Sequence, residues 1–382
     1  MFHPENLSQR SIRVLHLLNG EFFSGVEQVV ATLVRHHRGV DPKVVCLFDG
    51  EMARRMLGVF PVEVLPMHSR FDIRIVRLLS RYVRHNGIAL LHAHNIRAHL
   101  VAGIIGAVTG LPVVVTIHSP SARDTTRSWM NAFNNRVERS LVPWTTAWTT
   151  VSEKLGEVMQ RSGVPSARLV VIRNAIDVER YSGGNGARLR ALLGCGDQHL
   201  LIGTVALIRP RKGIEILLRA VSLAVAALPD IRCLIVGDSE NSRYIRELLK
   251  LRDTLNLADR VFFVPFSKDI PDVMAALDVF VLPSLFGEGL PMVILEAMAA
   301  SKPVVATAID GISEAVLDMV TGILIPPGKP ESLARALIEL ATNPERRKAM
   351  GVAAHQRAMT HFSAARMATA FENLYQDILQ SA

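Results

Sequence analysis

Two glutamates stand eight residues apart in FGEGLPMVILEAMA, Phe286 to Ala299, and a Gly-Leu-Pro turn follows the first. Gly289 lets a ligand approach the backbone closely, and Pro291 suits the first turn of a helix, where its missing N–H costs nothing. A helix beginning there turns the positive end of its dipole toward an anion. Eight helical residues rise about 12 Å, comparable to the span from a hexose across a diphosphate to a ribose. In that reading Glu288 accepts hydrogen bonds from sugar hydroxyls and Glu296 takes the ribose diol. The paired carboxylates of a glycoside hydrolase must instead flank one bond at closer range. The pattern points to a nucleotide sugar.

Other candidates lie where strand-like runs end, and ligands of parallel α/β sheets sit at the carboxyl ends of strands. Gly25, in FFSGVEQVV, follows the first such run and can bring backbone close to a phosphate. His118 ends PVVVTIH, Arg209 and Lys212 place two cations in RPRKG, and Gly237 follows CLIV. Each position also has a plainer explanation. Gly25 can be a tight turn, His118 a strand-end histidine satisfied by its neighbours, and the two cations a solvated turn. His92, His94 and His99 offer metal-ligand chemistry, but His-x-His on a strand without a nearby carboxylate reads as packing. The chain contains no Asp-x-Asp, so no metal and no other cofactor is expected.

The elements that must position these residues are short β-branched runs alternating with longer amphipathic ones. Seven strand candidates run from SIRVLHLL to LVVIRNA, and six more from HLLIGTVALI to GILIPPG. Helical patterns such as Val26–His37, Asp72–Asn86 and Ser128–Leu141 lie between them. This alternation predicts parallel sheets covered on both faces. The Gly/Ser/Asn-rich segment Arg180–Gln198 reads as a linker between two α/β domains, and a last helix, Ser363–Gln380, follows the second. A chain of 382 residues, 49% hydrophobic and 20% charged, can bury two cores and is not a disordered polymer.

Three well-separated cysteines argue against a disulfide framework or zinc site and for a reducing cytoplasm. The N-terminus lacks the basic-then-apolar order of a secretory leader. The uncharged run Leu100–Ile117 approaches the length of a membrane span, but Gly110, Leu111 and Pro112 split it into a helix and a buried strand.

Charge is uneven. Residues 1–190 hold 24 Lys+Arg against 14 Asp+Glu, and only Lys43 and Lys154 of these cations are lysines. Either an anionic partner docks on this half, or arginine is simply preferred on its solvated faces. In DIRIVRLLSRYVRH, Asp72 to His85, Arg74, Arg77, Arg81 and Arg84 recur on one helical face, with Ile75, Leu78, Leu79, Tyr82 and Val83 on another. That is the pattern of a basic helix on an anionic membrane, and equally of a core helix with an arginine-bearing outer face.

Along almost its whole length the chain resembles the retaining glycosyltransferases of family GT4. SGVE resembles that family's N-terminal GGxE loop, and LLHAHN and VTIHS its two histidine-bearing strand ends. VSE and VIRNAID, then RPRKG, IVGD, FGEGLPMVILEAMA, GISE and TGILIPPGKPESLARAL follow in the family's order. The resemblance implies an α/β fold of the GT-B type, with two Rossmann-like domains facing across a cleft. Residues 1–183 would bind an acceptor, 199–362 the nucleotide-sugar donor, and the helix of 363–382 would cross back over the join.

By the same resemblance Gly25 contacts the donor phosphate or the acceptor cleft, His118 lies beside the transferred sugar, and Arg209 and Lys212 hold the diphosphate. Gly237 belongs to the donor site, Glu288 holds sugar hydroxyls, Gly289 and Leu290 offer backbone N–H groups, and Glu296 holds the ribose. The expected partners are a UDP- or GDP-sugar, a glycan or lipid-linked acceptor and an anionic membrane surface, with no nucleic acid. Two departures stand out. Ser24 replaces the first glycine of the loop. Leu207 stands where many members carry an arginine five residues before the lysine, which leaves Arg209 as the nearest substitute. A sugar-nucleotide epimerase or hydrolase on the same fold is the alternative. A nucleic-acid-binding protein is a remote one, because the 5% aromatic content supplies few stacking platforms.

Overall fold

The computed structural model describes residues 11–21, 25–50, 61–69, 72–119, 136, 139–239, 241–266 and 269–381. Ser24 and most of the expected helix Ser128–Leu141 lie outside the described residues.

Two parallel sheets organise the chain. The first contains β1 (Ile12–Leu18), β2 (Val40–Cys46), β3 (Val62–Val64), β4 (Leu90–Ala93), β5 (Val113–Ile117), β6 (Ala147–Thr150) and β7 (Leu169–Val171), in the order β3-β2-β1-β4-β5-β6-β7. The second contains β8 (Leu200–Val205), β9 (Ile231–Val236), β10 (Val261–Val264), β11 (Val279–Leu282), β12 (Val304–Thr307) and β13 (Gly322–Ile325), in the order β10-β9-β8-β11-β12-β13. Every residue of β4, β5, β6, β11 and β12 is buried, as strands covered on both faces must be. Each sheet reverses its winding once, between β1 and β4 and between β8 and β11. At such a reversal neighbouring loops diverge and open a crevice at the carboxyl ends.

The run Leu100–Ile117 resolves into the helix Ile96–Thr109, a left-handed turn at Gly110 (φ 76°) and β5. The Asn95 side chain caps that helix by accepting from the Ala98 N–H. No described helix is long and apolar enough to cross a membrane.

The stretch read as a linker is more ordered than its composition suggests. It holds the helices Val178–Ser182 and Ala187–Leu192, and the Asn185 N–H donates to Asp272 at 2.8 Å. A Cβ added at Gly184 would come within 2.2 Å of the Pro271 carbonyl. Its glycines thus permit close packing against the helix Ile270–Ala276, not loose tethering.

The chain then returns. Ile176 N–H donates to the Phe362 carbonyl at 2.8 Å, and Ala364 N–H to the Ile176 carbonyl at 3.0 Å. The helix Ala364–Ser381 that follows lies on the helix Gly25–His36. Its fully buried Tyr375 meets His92 at 2.7 Å. Glu372 accepts from the backbone N–H groups of Arg38 and Gly39 at 2.6 and 3.2 Å.

The basic helix, Arg74–His85, packs Ile75, Leu79 and Val83 into the first domain's core. Leu78, placed on the apolar face by periodicity, is instead 44% exposed among the outward arginines. The core claims only one narrow stripe of this helix.

Candidate functional site

Glu288 and Lys212 meet at the carboxyl edge of the second sheet. Arg209 opens a short 3-10 turn, Pro210–Lys212, in the loop that follows β8. The Leu285 N–H donates to the Arg211 carbonyl at 2.7 Å, which ties that turn to the loop after β11. Lys212 Nζ consequently sits 2.5 Å from Glu288 Oε1, and the Ser284 hydroxyl donates to the same oxygen at 2.7 Å. Burial alone would raise the Glu288 carboxyl. Lys212, Arg211 and the Ser284 hydroxyl outweigh it and hold the group below the ordinary carboxylate range. Burial pulls the Lys212 ammonium downward, and Glu288 opposes that pull. We read the two as a charged pair, because three favourable contacts converge on one carboxylate.

Arg209 is partly exposed and close enough for its charge to bear on Lys212. Arg211, passed over in the sequence, sits against the same loop. Its Nη1 donates to the Gly287 carbonyl at 2.9 Å and lies 3.7 Å from Glu288. Asp310 was also missed. Its Oδ2 accepts from the Gly287 and Glu288 N–H groups at 2.9 and 3.0 Å and shapes the turn from behind. The only earlier signal for Asp310 was its place just before GISE.

The helix after this turn is Met292–Ala299, with Pro291 as its N-cap residue in extended conformation, one position earlier than expected. Glu288 therefore precedes the helix, and a purely helical spacing between the two glutamates does not apply. Glu296 is 2% exposed. Its Oε1 accepts from Gln28 Nε2 at 2.6 Å and from the Tyr181 hydroxyl at 3.1 Å, while Oε2 is covered and has no partner. Burial raises this carboxyl above its ordinary value despite both hydrogen bonds. Gln28 belongs to the helix Gly25–His36 of the first domain and Tyr181 to the helix Val178–Ser182. Three distant segments thus share one carboxylate.

At Gly289 the backbones of the two domains pack directly against each other. A Cβ there would lie 2.0 Å from the His118 carbonyl oxygen and 3.0 Å from Val151 Cγ2. Only glycine permits that approach. The adjoining Leu290 carbonyl accepts from Asn174 Nδ2 at 2.8 Å, and Asn174 Oδ1 is covered without a partner. Gly25 starts its helix opposite Met292, whose Cγ would be 3.9 Å from an added Cβ. Gly237 (φ 149°) follows β9, and a Cβ there would strike the Ala206 carbonyl at 1.8 Å. It lets the chain leaving β9 pack directly on the chain leaving β8. Glu314 of GISE crosses to the first domain, accepting from the Glu153 and Lys154 N–H groups at 3.0 and 2.9 Å.

His118 stands at the end of β5, with Nε2 3.4 Å from His94 Nδ1. Burial lowers its imidazole to about 3. His99 is a packing residue, bonded to Thr145 at 2.8 Å with Trp148 edge-on. The contacts join Lys212 to Glu288 and Gly289 to the His118 carbonyl, and they set Gly25 opposite Met292 in the helix that carries Glu296, while Gly237 packs on Ala206.

A family model described as Glycosyl transferases group 1 matches residues 189–357, and one described as Glycosyltransferase Family 4 matches residues 23–180. A D-inositol 3-phosphate glycosyltransferase of Rhodococcus jostii is 29% identical over 291 residues, covering 70% of this chain and 62% of the relative. The Kribbella flavida protein of the same description is 32% identical over 214 residues, covering 54% of this chain and 50% of its own length. The chain thus spans under two thirds of the length of these curated relatives. Among solved structures, Anabaena Alr3699/HepE in complex with UDP and glucose superposes with a TM-score of 0.86 at 24% identity, covering 96% of this chain and all of that one. The sucrose-phosphate synthase of Thermosynechococcus elongatus gives a TM-score of 0.80 at 21% identity, over 97% of this chain and all of its own. These likenesses establish the fold as GT-B.

Proposed function

Because the chain belongs to the group 1, family 4 glycosyltransferases, whose two models together run through most of its length, we propose that it moves a sugar from a nucleotide-diphospho-sugar to a hydroxyl acceptor. The observation that carries this reading is the convergence of Lys212 and Arg211 on Glu288 beside the start of the helix Met292–Ala299. A diphosphate brought there competes with Glu288 for Lys212, and the released carboxylate accepts from the sugar's hydroxyls. Negative charge that grows on the leaving diphosphate meets cations and a helix N-terminus already in place. Arg209, with the N–H groups of Gly289 and Leu290, completes the phosphate side. Glu296 takes the ribose, and Gly25 and Gly237 let the backbone close on the donor. Residues 199–362 act as the donor domain and 1–183 as the acceptor domain. UDP- and GDP-sugars are the first donors to try.

The test is product analysis. Incubation with UDP-, GDP- and ADP-sugars should give acceptor-dependent release of the nucleotide, with the donor's anomeric configuration kept in the product. Turnover should persist in excess EDTA, since Arg209, Arg211, Lys212 and the helix N-terminus supply the positive charge. Nucleotide release without acceptor makes the protein a hydrolase, and an isomerised donor makes it an epimerase. An inverted anomer removes it from the retaining class.

The acceptor side carries a second prediction. Arg74, Arg77, Arg81 and Arg84 are all exposed on the helix Arg74–His85, beside the exposed Ile73 and Leu78. We read this face as a peripheral contact with anionic lipid, each arginine adding about 1 kcal/mol near the surface at low salt. Changing all four to Gln should abolish salt-sensitive binding to phosphatidylserine vesicles with the far-UV CD spectrum unchanged. Equal partitioning of both proteins at low salt would assign the acceptor to soluble glycans.

A further inference from the structure

Behind the cleft lies a row of buried histidines that the proposed reaction leaves unexplained. Parallel pairing sets His16 of β1 opposite His92 of β4, and β5 lies on the other side of β4. His92 is saturated, since its Nδ1 meets the Tyr375 hydroxyl and its Nε2 the Thr116 hydroxyl, each at 2.7 Å. The remaining rings form a chain. His118 Nε2 faces His94 Nδ1 at 3.4 Å, and His94 Nε2 faces His16 Nδ1 at 3.0 Å. Both outer nitrogens, His118 Nδ1 and His16 Nε2, are covered and have no partner.

We propose that His16 and His94 are positioning residues that hold His118 in its Nδ1–H tautomer, so that a neutral imidazole presents a hydrogen-bond donor at the sugar end of the cleft. Three neutral imidazoles carry three ring protons, and the two contacts between rings use one each. The third proton must sit at an end. On His16 Nε2 the N–H would be orphaned for good, on a residue that is 0% exposed. His118, by contrast, is partly exposed at the strand end, so a ligand in the cleft can satisfy the proton that its Nδ1 holds covered in the free protein. Buried unpaired N–H groups are rarer than under-satisfied acceptors. The order that avoids it runs His16 Nδ1–H to His94 Nε2, then His94 Nδ1–H to His118 Nε2. The spare proton is left on His118 Nδ1, where a substrate hydroxyl can receive it as a hydrogen bond.

Neutrality follows from burial, which lowers all three rings below the ordinary histidine value. It also suits the chemistry. An imidazolium beside an oxocarbenium-like centre would oppose the positive charge developing there, whereas a neutral donor orients the sugar without that penalty. The three nitrogens of His16, His92 and His94 that approach within 4.8 Å of one another resemble a metal site in spacing alone. The two hydroxyls on His92 and the direct His16–His94 contact account for them as hydrogen bonds.

The inference rests on the proposed transfer only for its kinetic consequence, because the tautomer is read from the protein without substrate. Histidine-selective 15N labelling and long-range 1H–15N correlation at about pH 6–8, the range in which an ordinary histidine would titrate, should show His118 with Nδ1 protonated and Nε2 bare. His94→Leu should mix the two tautomers and lower kcat about tenfold, with donor KM changed by about twofold or less. His94→Asn places an amide N–H near the position of Nδ1 and should restore both the tautomer and most of kcat. A wild-type His118 protonated on Nε2 overturns the proposal by itself, even if neither variant folds. So does an unchanged tautomer in His94→Leu, or zinc that binds stoichiometrically and shifts the His94 signals.

Discussion

Lys212→Met is expected to lower kcat by about 10²–10³-fold, the usual cost of removing one preorganised group that meets charge as it develops. The argument begins with geometry. Lys212 touches Glu288 at 2.5 Å in a corner that also holds Arg211, and burial strengthens each of these interactions. The loss should appear in kcat more than in donor KM, because the charge on the diphosphate grows only as the sugar departs. Removing one partner of a buried ion pair also destabilises a fold, by about 3–5 kcal/mol, and Arg211 at 3.7 Å offsets part of that. The double variant Lys212→Met/Glu288→Gln separates the two effects, since it leaves no uncompensated carboxylate. Its thermal midpoint should recover toward wild type while its turnover stays well below that of Glu288→Gln alone. A double variant as active as Glu288→Gln would show that Lys212 serves the fold alone.

Glu296→Gln should weaken donor binding by about 1.5–3 kcal/mol, the cost of replacing a charged acceptor by a neutral one of equal volume. Calorimetry with the nucleotide sugar measures it directly, and unchanged affinity would falsify the ribose assignment. The pH dependence adds an independent check. Burial raises this carboxyl in the protein, and the ionised form is the stronger acceptor. Wild-type affinity should therefore fall as pH drops through that raised value, at a higher pH than an ordinary glutamate would give. The glutamine variant has no such group and should show no such limb. Oε1 already carries Gln28 and Tyr181, so the variant also tests whether Oε2 is the oxygen the donor takes.

The limits of sequence reading show in particular residues. LVVIRNA scans as one strand, yet β7 ends at Val171. Arg173 and Asn174 leave the sheet to bond Glu314 and the Leu290 carbonyl across the cleft. A strand propensity cannot register that, because the competing partners lie more than a hundred positions away. Similarly VSE and GISE are separate motifs in the chain, and only folding sets the Glu314 carboxylate at the N-terminus of the helix Glu153–Arg161.

By itself the sequence determined what is local. Continuous β-branched runs between amphipathic ones specify parallel strands covered on both faces, because each run must bury itself within a few residues. The glycine and proline around Glu288 likewise announce a turn that opens a helix. Tertiary structure decided which side chains share a charge or a hydrogen bond. Arg211 rather than Arg209 reaches the Gly287 carbonyl, Asp310 holds the turn from behind, and Gln28 crosses between domains to Glu296. These pairings depend on the register of strands and the approach of two sheets. Those are properties of packing between distant segments, and local residue order encodes them only through the whole fold.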